Sequence, residues 1–248
     1  MRLQQNNAAY LNIAEYNQEC LVYQYGSSQL IVHANLQIAT QAHSSGMYYI
    51  SGGSLIVTSM QGYCKIGVGN YADGYIINDG GYISIQRDLD LGYGDYAVGS
   101  CTLTNTSSRL NVSGDINLGS ISNSNGILDV RHGEVDVGGN LSVGGEGDGT
   151  VEIDNSAKAV IGGDLSVGGS GTGELNISGT TATVLVSGKV AVGIGAGGFV
   201  DGLVSFEGGT YAVHGDTYVG ISGTTGLPDL QGVAPACVPP LRWAWRGA

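Results

Sequence analysis

The sequence predicts an all-β fold, a right-handed single-stranded parallel β-helix (β-solenoid) with three short strands in each of about eight coils. Three observations indicate this. Gly accounts for 44 of 248 residues and Pro for only 4. An imperfect repeat recurs every 23 to 29 residues or so, roughly the period of solenoid proteins. Within each repeat, apolar and polar residues alternate with the period of a half-buried strand.

Each repeat contains three such alternating runs. Examples are Val151 and Ile153 in the first run, Val135 and Val137 in the second, and a third run that follows a Gly-Asp or Gly-Asn corner. The repeats begin at Gly46, Gly74, Gly99, Gly126, Gly149, Gly173 and Gly202. Parallel strands in βαβ units need a helical crossover, and the sequence shows no helical pattern between the runs. We therefore expect equivalent strands to stack coil on coil.

Glycine is expected at the corners between strands, because it adopts positive φ without a steric cost. The dipeptides Gly114-Asp115, Gly139-Asn140, Gly163-Asp164 and Gly188-Lys189 all fall at one corner. Segments of variable length, such as the one that follows Gly119, fall at another corner. A solenoid tolerates length variation at a corner, so this distribution agrees with the predicted fold.

The sequence divides into a partial N-terminal coil or capping segment (1–18), the solenoid (19–222) and a C-terminal tail (223–248) that contains Pro and both Trp residues. Proline cannot donate to a strand ladder, which favours an end of the solenoid near Ser222. The inward pairs expected in the first full coil are Cys20 and Val22, Leu30 and Val32, and Leu36 and Ile38. Because the chain starts in mid-coil and shows no signal peptide, we expect either further sequence upstream or a cap formed by residues 1–10.

Composition and charge exclude several classes of partner. The net charge is −12 and the sequence pI is about 4.4, which argues against nucleic acid and against anionic membrane surfaces. No apolar run reaches the roughly 20 residues that span a bilayer, so membrane insertion by this segment is not expected.

The repeat pattern G-x-L-x-I-x-x-G…V-x-V-x-G-D-L-x-V-G, over residues 46–221, resembles the repeats of autotransporter (type V secretion) passengers and of proteins that carry a PEP-CTERM sorting tail. This resemblance implies an exported bacterial protein, extracellular or on the cell surface, whose β-helix acts as a stalk or adhesin. The chain shows neither the translocator barrel nor the Pro-Glu-Pro motif of those families.

The residue types that usually carry chemistry suggest no catalytic centre, metal site or cofactor. Cys20 and Cys101 are expected at the inward position of Leu175, three coils apart, and Cys64 at that of Leu165; we interpret them as buried thiols without disulfides. The four His residues are expected on the surface. The Gly-Gly-Glu-Gly-Asp-Gly run at Gly144 lacks the nine-residue period of calcium-binding repeats and is interpreted as a flexible corner.

Acidic residues are interpreted as a solvated outer face that keeps the solenoid soluble: Asp88, Asp90, Asp115, Asp129, Glu134, Asp136, Glu152, Asp154 and Asp164. A polysaccharide-active enzyme, either a lyase or a glycoside hydrolase, stays open as an alternative. A glycoside hydrolase would need two carboxylates about 5–9 Å apart. A lyase would need clustered acids beside a basic residue, for which Lys158 near Asp154 is the closest approach in the sequence.

Tyrosine is the most suggestive residue type, with 14 residues against 2 Phe and 2 Trp. Tyr48 is expected to point inward. The candidate ligand-binding residues are expected to point outward or to lie at the long corner: Tyr49, Tyr75, Tyr82, Tyr93 and Tyr96. Exposed rings can stack on sugars or anchor an interface, but aromatic ladders also stabilise sheets.

We therefore predict a non-catalytic structural or adhesive segment at the cell surface. The alternatives are the polysaccharide-active enzyme and a glycan-binding module that uses the Tyr-rich N-terminal half. The expected partners are surface glycans or other copies of the chain.

Overall fold

The computed structural model describes residues 2–5, 10–15, 17–58, 63–193, 201–219 and 225–229. For 2–5 and 225–229 only the backbone is described. This part of the chain forms β-strands joined by short corners and contains no helix. The C-terminal residues 230–248, including Cys237, Trp243 and Trp245, lie outside it.

The strands form three parallel sheets of nine strands each, which we number by the order of the runs in each repeat. Sheet 1 contains β3 (Glu19–Tyr25), β6 (Ser45–Ser51), β9 (Asp73–Asn78), β12 (Val98–Leu103), β15 (Asn125–Val130), β18 (Asp148–Ile153), β21 (Gly173–Ile177), β24 (Asp201–Phe206) and β27 (Thr225–Asp229). Sheet 2 contains β1 (Arg2–Gln5), β4 (Gln29–Val32), β7 (Ser54–Val57), β10 (Tyr82–Ile85), β13 (Arg109–Val112), β16 (Glu134–Val137), β19 (Lys158–Ile161), β22 (Thr183–Val186) and β25 (Thr210–Val213). Sheet 3 contains β2 (Tyr10–Ile13), β5 (Asn35–Ile38), β8 (Cys64–Ile66), β11 (Leu89–Leu91), β14 (Ile116–Leu118), β17 (Leu141–Val143), β20 (Leu165–Val167), β23 (Val190–Val192) and β26 (Thr217–Val219).

Each strand pairs in parallel with the equivalent strand of the next coil. Val143 lies opposite Val167 in sheet 3, and Leu128 lies opposite Val151 in sheet 1. The predicted fold class is therefore confirmed: an all-β parallel solenoid with three strands per coil and about eight coils. The inward side chains of the three sheets form one continuous apolar core along the solenoid.

In the first full coil, Cys20 and Val22 of β3 pack against the core as predicted, but the predicted register of β3 was wrong by two residues. Cys20 lies opposite Gly46, Val22 lies opposite Tyr48, and the inward Gln24 lies opposite Ile50. A slip of two residues preserves the alternation, so the period alone does not detect it. The buried Gln24 amide is satisfied because it accepts from the Tyr48 hydroxyl and donates to backbone oxygens, at 2.8 Å for Ser28.

The expected role of glycine at the corner between sheets 2 and 3 was also wrong. Gly114, Gly139, Gly163 and Gly188 do not have positive φ. They are required because a Cβ would collide with an oxygen of the preceding coil; at Gly139 it would lie 2.1 Å from Oδ1 of Asp115. Positive φ occurs instead at the other two corners, for example at Gly92 (69°) after sheet 3 and at Gly133 (94°) after sheet 1.

The side-chain oxygens at this corner form a ladder of their own, which we call the Asx ladder (Asp88, Asp115, Asn140 and Asp164). Each oxygen accepts a hydrogen bond from a backbone N–H of the next coil. The distances are 2.9 Å from Asp115 N to Asp88, 2.6 Å from Asn140 N to Asp115, 2.8 Å from Asp164 N to Asn140 and 2.7 Å from Lys189 N to Asp164. The Gly-Asp and Gly-Asn dipeptides thus link one coil to the next.

The strand ladders extend beyond the predicted solenoid limits of 19 and 222. At the N-terminal end β1 pairs with β4 and β2 pairs with β5. At the C-terminal end β27 pairs with β24, with Pro228 opposite Val204. Proline is tolerated there because, of the described strands, only β24 pairs with β27, and an edge strand has one free side.

Candidate functional site

The candidate tyrosines do not form a single site. Tyr49 and Tyr75 lie on the outer face of sheet 1, in neighbouring strands. Tyr82 is exposed on sheet 2, at the start of β10. Tyr93 and Tyr96 are exposed at the corner between sheets 3 and 1. Tyr48 is buried, as predicted.

The outer face of sheet 1 is apolar and aromatic near the N-terminal end. We call this surface the aromatic wall; it comprises Leu21, Tyr23, Tyr25, Met47, Tyr49, Tyr75 and Ile77. The Tyr23 and Tyr25 rings are nearly parallel, with an interplanar angle of 9° and centroids 5.7 Å apart. The Tyr49 ring lies against both, at 5.7 and 6.3 Å. Tyr23 and Tyr25 are 53% and 60% exposed, so this end of the wall faces solvent, whereas Tyr49 and Tyr75 are half-buried.

Strand geometry produces the wall directly. Residues i, i+2 and i+4 of a strand point to one face, which places Leu21, Tyr23 and Tyr25 together on β3. The parallel register then places Met47 and Tyr49 of β6 opposite Leu21 and Tyr23. Tyr49 and Tyr75 are candidates from the sequence, whereas Tyr23 and Tyr25 are not. The two-residue slip in the predicted register of β3 obscured that Tyr23 lies opposite Tyr49.

The Tyr49 hydroxyl is held at the edge of the wall by a hydrogen bond of 2.9 Å to Oδ2 of Asp79. This bond and the negative charge of Asp79 raise the pKa of Tyr49. The ring therefore stays neutral and keeps a fixed orientation. A fixed aromatic ring loses little conformational entropy when it contacts a partner.

A second aromatic group lies at the corner that precedes sheet 1. His43, Tyr71 and Tyr96 occupy one position in successive coils, and their rings stack at 5.3 and 4.9 Å with interplanar angles of 13° and 5°. All three residues have positive φ, between 54° and 59°. We call this group the corner stack. Tyr96 is the one candidate from the sequence that belongs to it.

Tyr93 has a different environment, beside a buried lysine of sheet 3. The Lys65 ammonium lies 3.0 Å from the centroid of the Tyr93 ring and 4.2 Å from that of Tyr63. It also lies 3.7 Å from Oδ2 of Asp90. Asp90 is buried and accepts from Asn117 at 2.9 Å. These contacts stabilise Lys65 through cation–π and ionic interactions, so Tyr93 already has an intramolecular partner.

The acidic face departs from the predicted solvated arrangement at Asp90, which is buried, and at a group of three acids in sheet 1. The carboxylate oxygens of Asp129, Glu152 and Asp154 lie within 4.8 Å of one another. We call this group the acid cluster. Asp129 is only 6% exposed although it lies on the outer face of sheet 1. Burial and the charges of Asp129 and Asp154 raise the pKa of Glu152. The repeat predicts that Asp129 and Glu152 are register partners, as they are in the structure. It does not predict that Asp154 lies close to both.

Basic residues near these acids are paired. Arg131 lies 2.8 Å from Oδ2 of Asp129, a contact that raises the pKa of Arg131 and keeps the guanidinium protonated. Lys158 pairs with Glu134, its register partner in sheet 2, at 2.5 Å, rather than with Asp154. The acid cluster therefore offers negative charge and oxygen ligands, and its nearest cation is not suited to accept a proton.

Comparisons with protein families, with curated proteins and with solved structures found no match. In the part of the chain that the structure describes, no helix is long and apolar enough to cross a bilayer.

The three described cysteines and the described interior provide no further site. Cys101 shares the register position of Leu175, and Cys64 that of Leu165, as predicted. Cys20 does not share the register position of Leu175, because it lies opposite Gly46. All three are free thiols. Burial raises the pKa of Cys64 and of Cys101, so both stay protonated. An internal cavity of about 10 Å³ beside Ala159 has apolar walls and holds at most about one water.

Proposed function

We propose that this chain is a structural and adhesive segment of an extracellular or cell-surface protein, with no catalytic activity of its own. The stacked coils serve as a rigid support, and the aromatic wall is the adhesive surface. The observation that carries this proposal is the cluster of Tyr23, Tyr25 and Tyr49 rings on one face of a parallel sheet, where Tyr23 and Tyr25 are exposed and Tyr49 is half-buried.

The composition of the rest of sheet 1 supports this assignment. In later coils, most outward positions of the same sheet hold polar residues such as Ser100, Thr102 and Thr150. Apolar ones such as Ile127 and Leu203 lie in separate coils. Contiguous exposed apolar surface is uncommon on monomeric soluble proteins and marks contact sites. The aromatic wall therefore differs in composition from the rest of the outer face of sheet 1. Tyrosine is also enriched among the residues that dominate interface energies.

A neutral glycan is the partner class that the wall favours most. The nearly parallel Tyr23 and Tyr25 rings present π faces on which the apolar faces of sugars can stack. The net charge of −12 disfavours anionic ligands. The same rings could instead contact a second copy of the chain, and the two partners are distinguishable by experiment.

A retention assay tests the proposal. The whole chain is applied to beads that carry neutral polysaccharides (cellulose, chitin or mannan) and to beads that carry only protein, and self-association is followed by analytical ultracentrifugation. The triple variant Tyr23→Ser, Tyr25→Ser, Tyr49→Ser is compared with Tyr82→Ser, which removes an exposed tyrosine of sheet 2. We expect retention by the wild type and by Tyr82→Ser, and a loss of about tenfold or more in the triple variant.

The pattern of results identifies the partner. Release by free oligosaccharide indicates a glycan-binding module, whereas retention on protein alone indicates general adhesion. Concentration-dependent dimers that disappear in the triple variant indicate contact between copies. An adhesive role is rejected if the wild type shows neither retention nor self-association, or if Tyr82→Ser is as impaired as the triple variant.

A further inference from the structure

The acid cluster places three carboxylates where they repel one another. Asp129 and Glu152 are register partners in adjacent coils, and Asp154 follows β18 directly. Their oxygens lie within 4.8 Å, and none of the three side chains is fully exposed. Like charges at this separation are costly where water is partly excluded. Such an arrangement needs a compensating positive charge.

Asp129 has an oxygen without a partner. Its residue is 6% exposed, and Oδ1 is buried and accepts no hydrogen bond from the described residues. Oδ2 is occupied by Arg131, at 2.9 Å from Nε. A buried carboxylate oxygen without a donor is costly, and in native proteins it usually has a water or an ion as its partner. The orphaned Oδ1 belongs to the same carboxylate that faces Glu152 and Asp154.

Donors among the described residues reach only part of the cluster. The Ser178 hydroxyl donates to Oδ1 of Asp154. No hydrogen-bond donor among the described residues reaches the Glu152 carboxylate. Three carboxylates and the Arg131 guanidinium together carry a charge of about −2 at neutral pH. A single divalent cation would neutralise this charge and supply the missing partner of Asp129.

We propose that the acid cluster binds a calcium ion. All of the ligand atoms are carboxylate oxygens, which are ligands of hard cations, and neither His nor Cys belongs to the cluster. Oxygens bound to one Ca²⁺ can lie up to about 5 Å apart, whereas the shorter Mg²⁺ bonds limit this distance to about 4.2 Å. The 4.8 Å spread fits calcium. Glu152 and Asp154 are half-buried, which leaves room for the water ligands that calcium accepts.

The ion would connect two coils, since Asp129 lies in β15 and the other two ligands lie in and next to β18. These ligands come together only when the coils are stacked, so calcium binds the folded chain and not the unfolded one. Binding must therefore raise the melting temperature. Calcium would act here as a link between coils. This role does not depend on the aromatic wall or on any adhesive function.

Calcium titration of the whole chain tests this site. Binding is measured by isothermal titration calorimetry with CaCl₂, and melting is followed by circular dichroism in EDTA and in calcium. The test variant is Glu152→Gln, whose side chain has no hydrogen bond to lose. The control is Asp136→Asn, an outward acid of sheet 2 with a pKa that burial also raises. MgCl₂ is titrated in parallel.

We expect the wild type and Asp136→Asn to bind one calcium per chain and to melt at a higher temperature with calcium than in EDTA. Glu152→Gln should bind at least about tenfold more weakly. In EDTA its melting temperature should equal or exceed that of the wild type, because the substitution removes a repulsive charge. A variant that has lost only a ligand melts at or above the wild-type temperature in EDTA and below it in calcium. A damaged fold would lower the melting temperature in both conditions.

The proposal is overturned if the wild type shows no saturable calcium binding at millimolar concentration. It is equally overturned if Glu152→Gln responds to calcium as Asp136→Asn does, or if magnesium produces the same affinity and melting shift as calcium. Should Glu152→Gln fail to fold, Asp154→Asn, which changes the other half-buried ligand, is subject to the same criteria.

Discussion

At the scale of single residues, the Asx ladder shows how one side-chain oxygen links two coils. Oδ1 of Asp164 accepts from Lys189 N at 2.7 Å. Asp164→Ala removes this acceptor, and we expect a loss of about 1 kcal/mol of stability, the usual net value of one hydrogen bond. Asp164→Asn keeps the acceptor and should unfold close to the wild-type urea midpoint. Equal midpoints for the two variants would show that the ladder does not stabilise the solenoid.

At the scale of the strand, sheet 1 depends on a column of glycines at one register position. The column runs from Gly46 through Gly74, Gly99 and Gly126 to Gly202. A Cβ at Gly99 would lie 2.1 Å from the backbone N of Gly92 and 2.3 Å from the backbone O of Ile66. Those two atoms form a 2.9 Å hydrogen bond, so the methyl group would have to force the coils apart.

We therefore expect Gly99→Ala to cost about 3 kcal/mol or more, the upper range of overpacking in a well-packed interior. Gly145→Ala is the matched control, because its nearest neighbour would be Gly119 O at 3.2 Å and its φ is not positive. That variant should lose less than about 1 kcal/mol. Urea unfolding of both, followed by circular dichroism, measures the difference; similar losses would contradict a packing role for the column.

The same column explains how far the strands could be predicted from sequence. From Gly46 onward, alternation and the glycine column together define the register, and the predicted pairs such as Leu128 with Val151 are confirmed. In β3 the equivalent position is occupied by Cys20 instead of a glycine. The sequence therefore did not mark the register of this strand, and the predicted register was wrong by two residues.

At the scale of the whole molecule, the repeat predicts which residues form a row along the solenoid. It does not predict which neighbouring rows come into contact. Tyr71 and Tyr96 share a row, so their stacking could have been anticipated from the repeat. The acid cluster joins Asp129 and Glu152 with Asp154, which belongs to the row at the edge of the sheet. The position of Lys65 between Tyr63 and Tyr93 depends on corner conformations that alternation does not encode.

Charge across the molecule predicts an unusual response to pH. Burial raises the pKa of three outward carboxyl groups, Asp90, Asp136 and Glu152, above their ordinary values. A carboxyl group with a raised pKa in the folded state binds its proton more tightly when folded than when unfolded. Its contribution to stability is therefore largest at low pH and is lost as the pH rises from the unfolded pKa through the folded one.

The net charge of −12 acts in the same direction, because protonation relieves repulsion in the compact state. We expect the melting temperature in EDTA to rise by a few degrees when the pH falls from 7 to about 4.5, towards the ordinary carboxyl pKa values of about 4. The double variant Asp136→Asn, Glu152→Gln should show a smaller rise, since two of the three groups no longer titrate. A melting temperature that falls steadily over this range, or an equal rise in the double variant, would show that these buried carboxyl groups do not control the acid response.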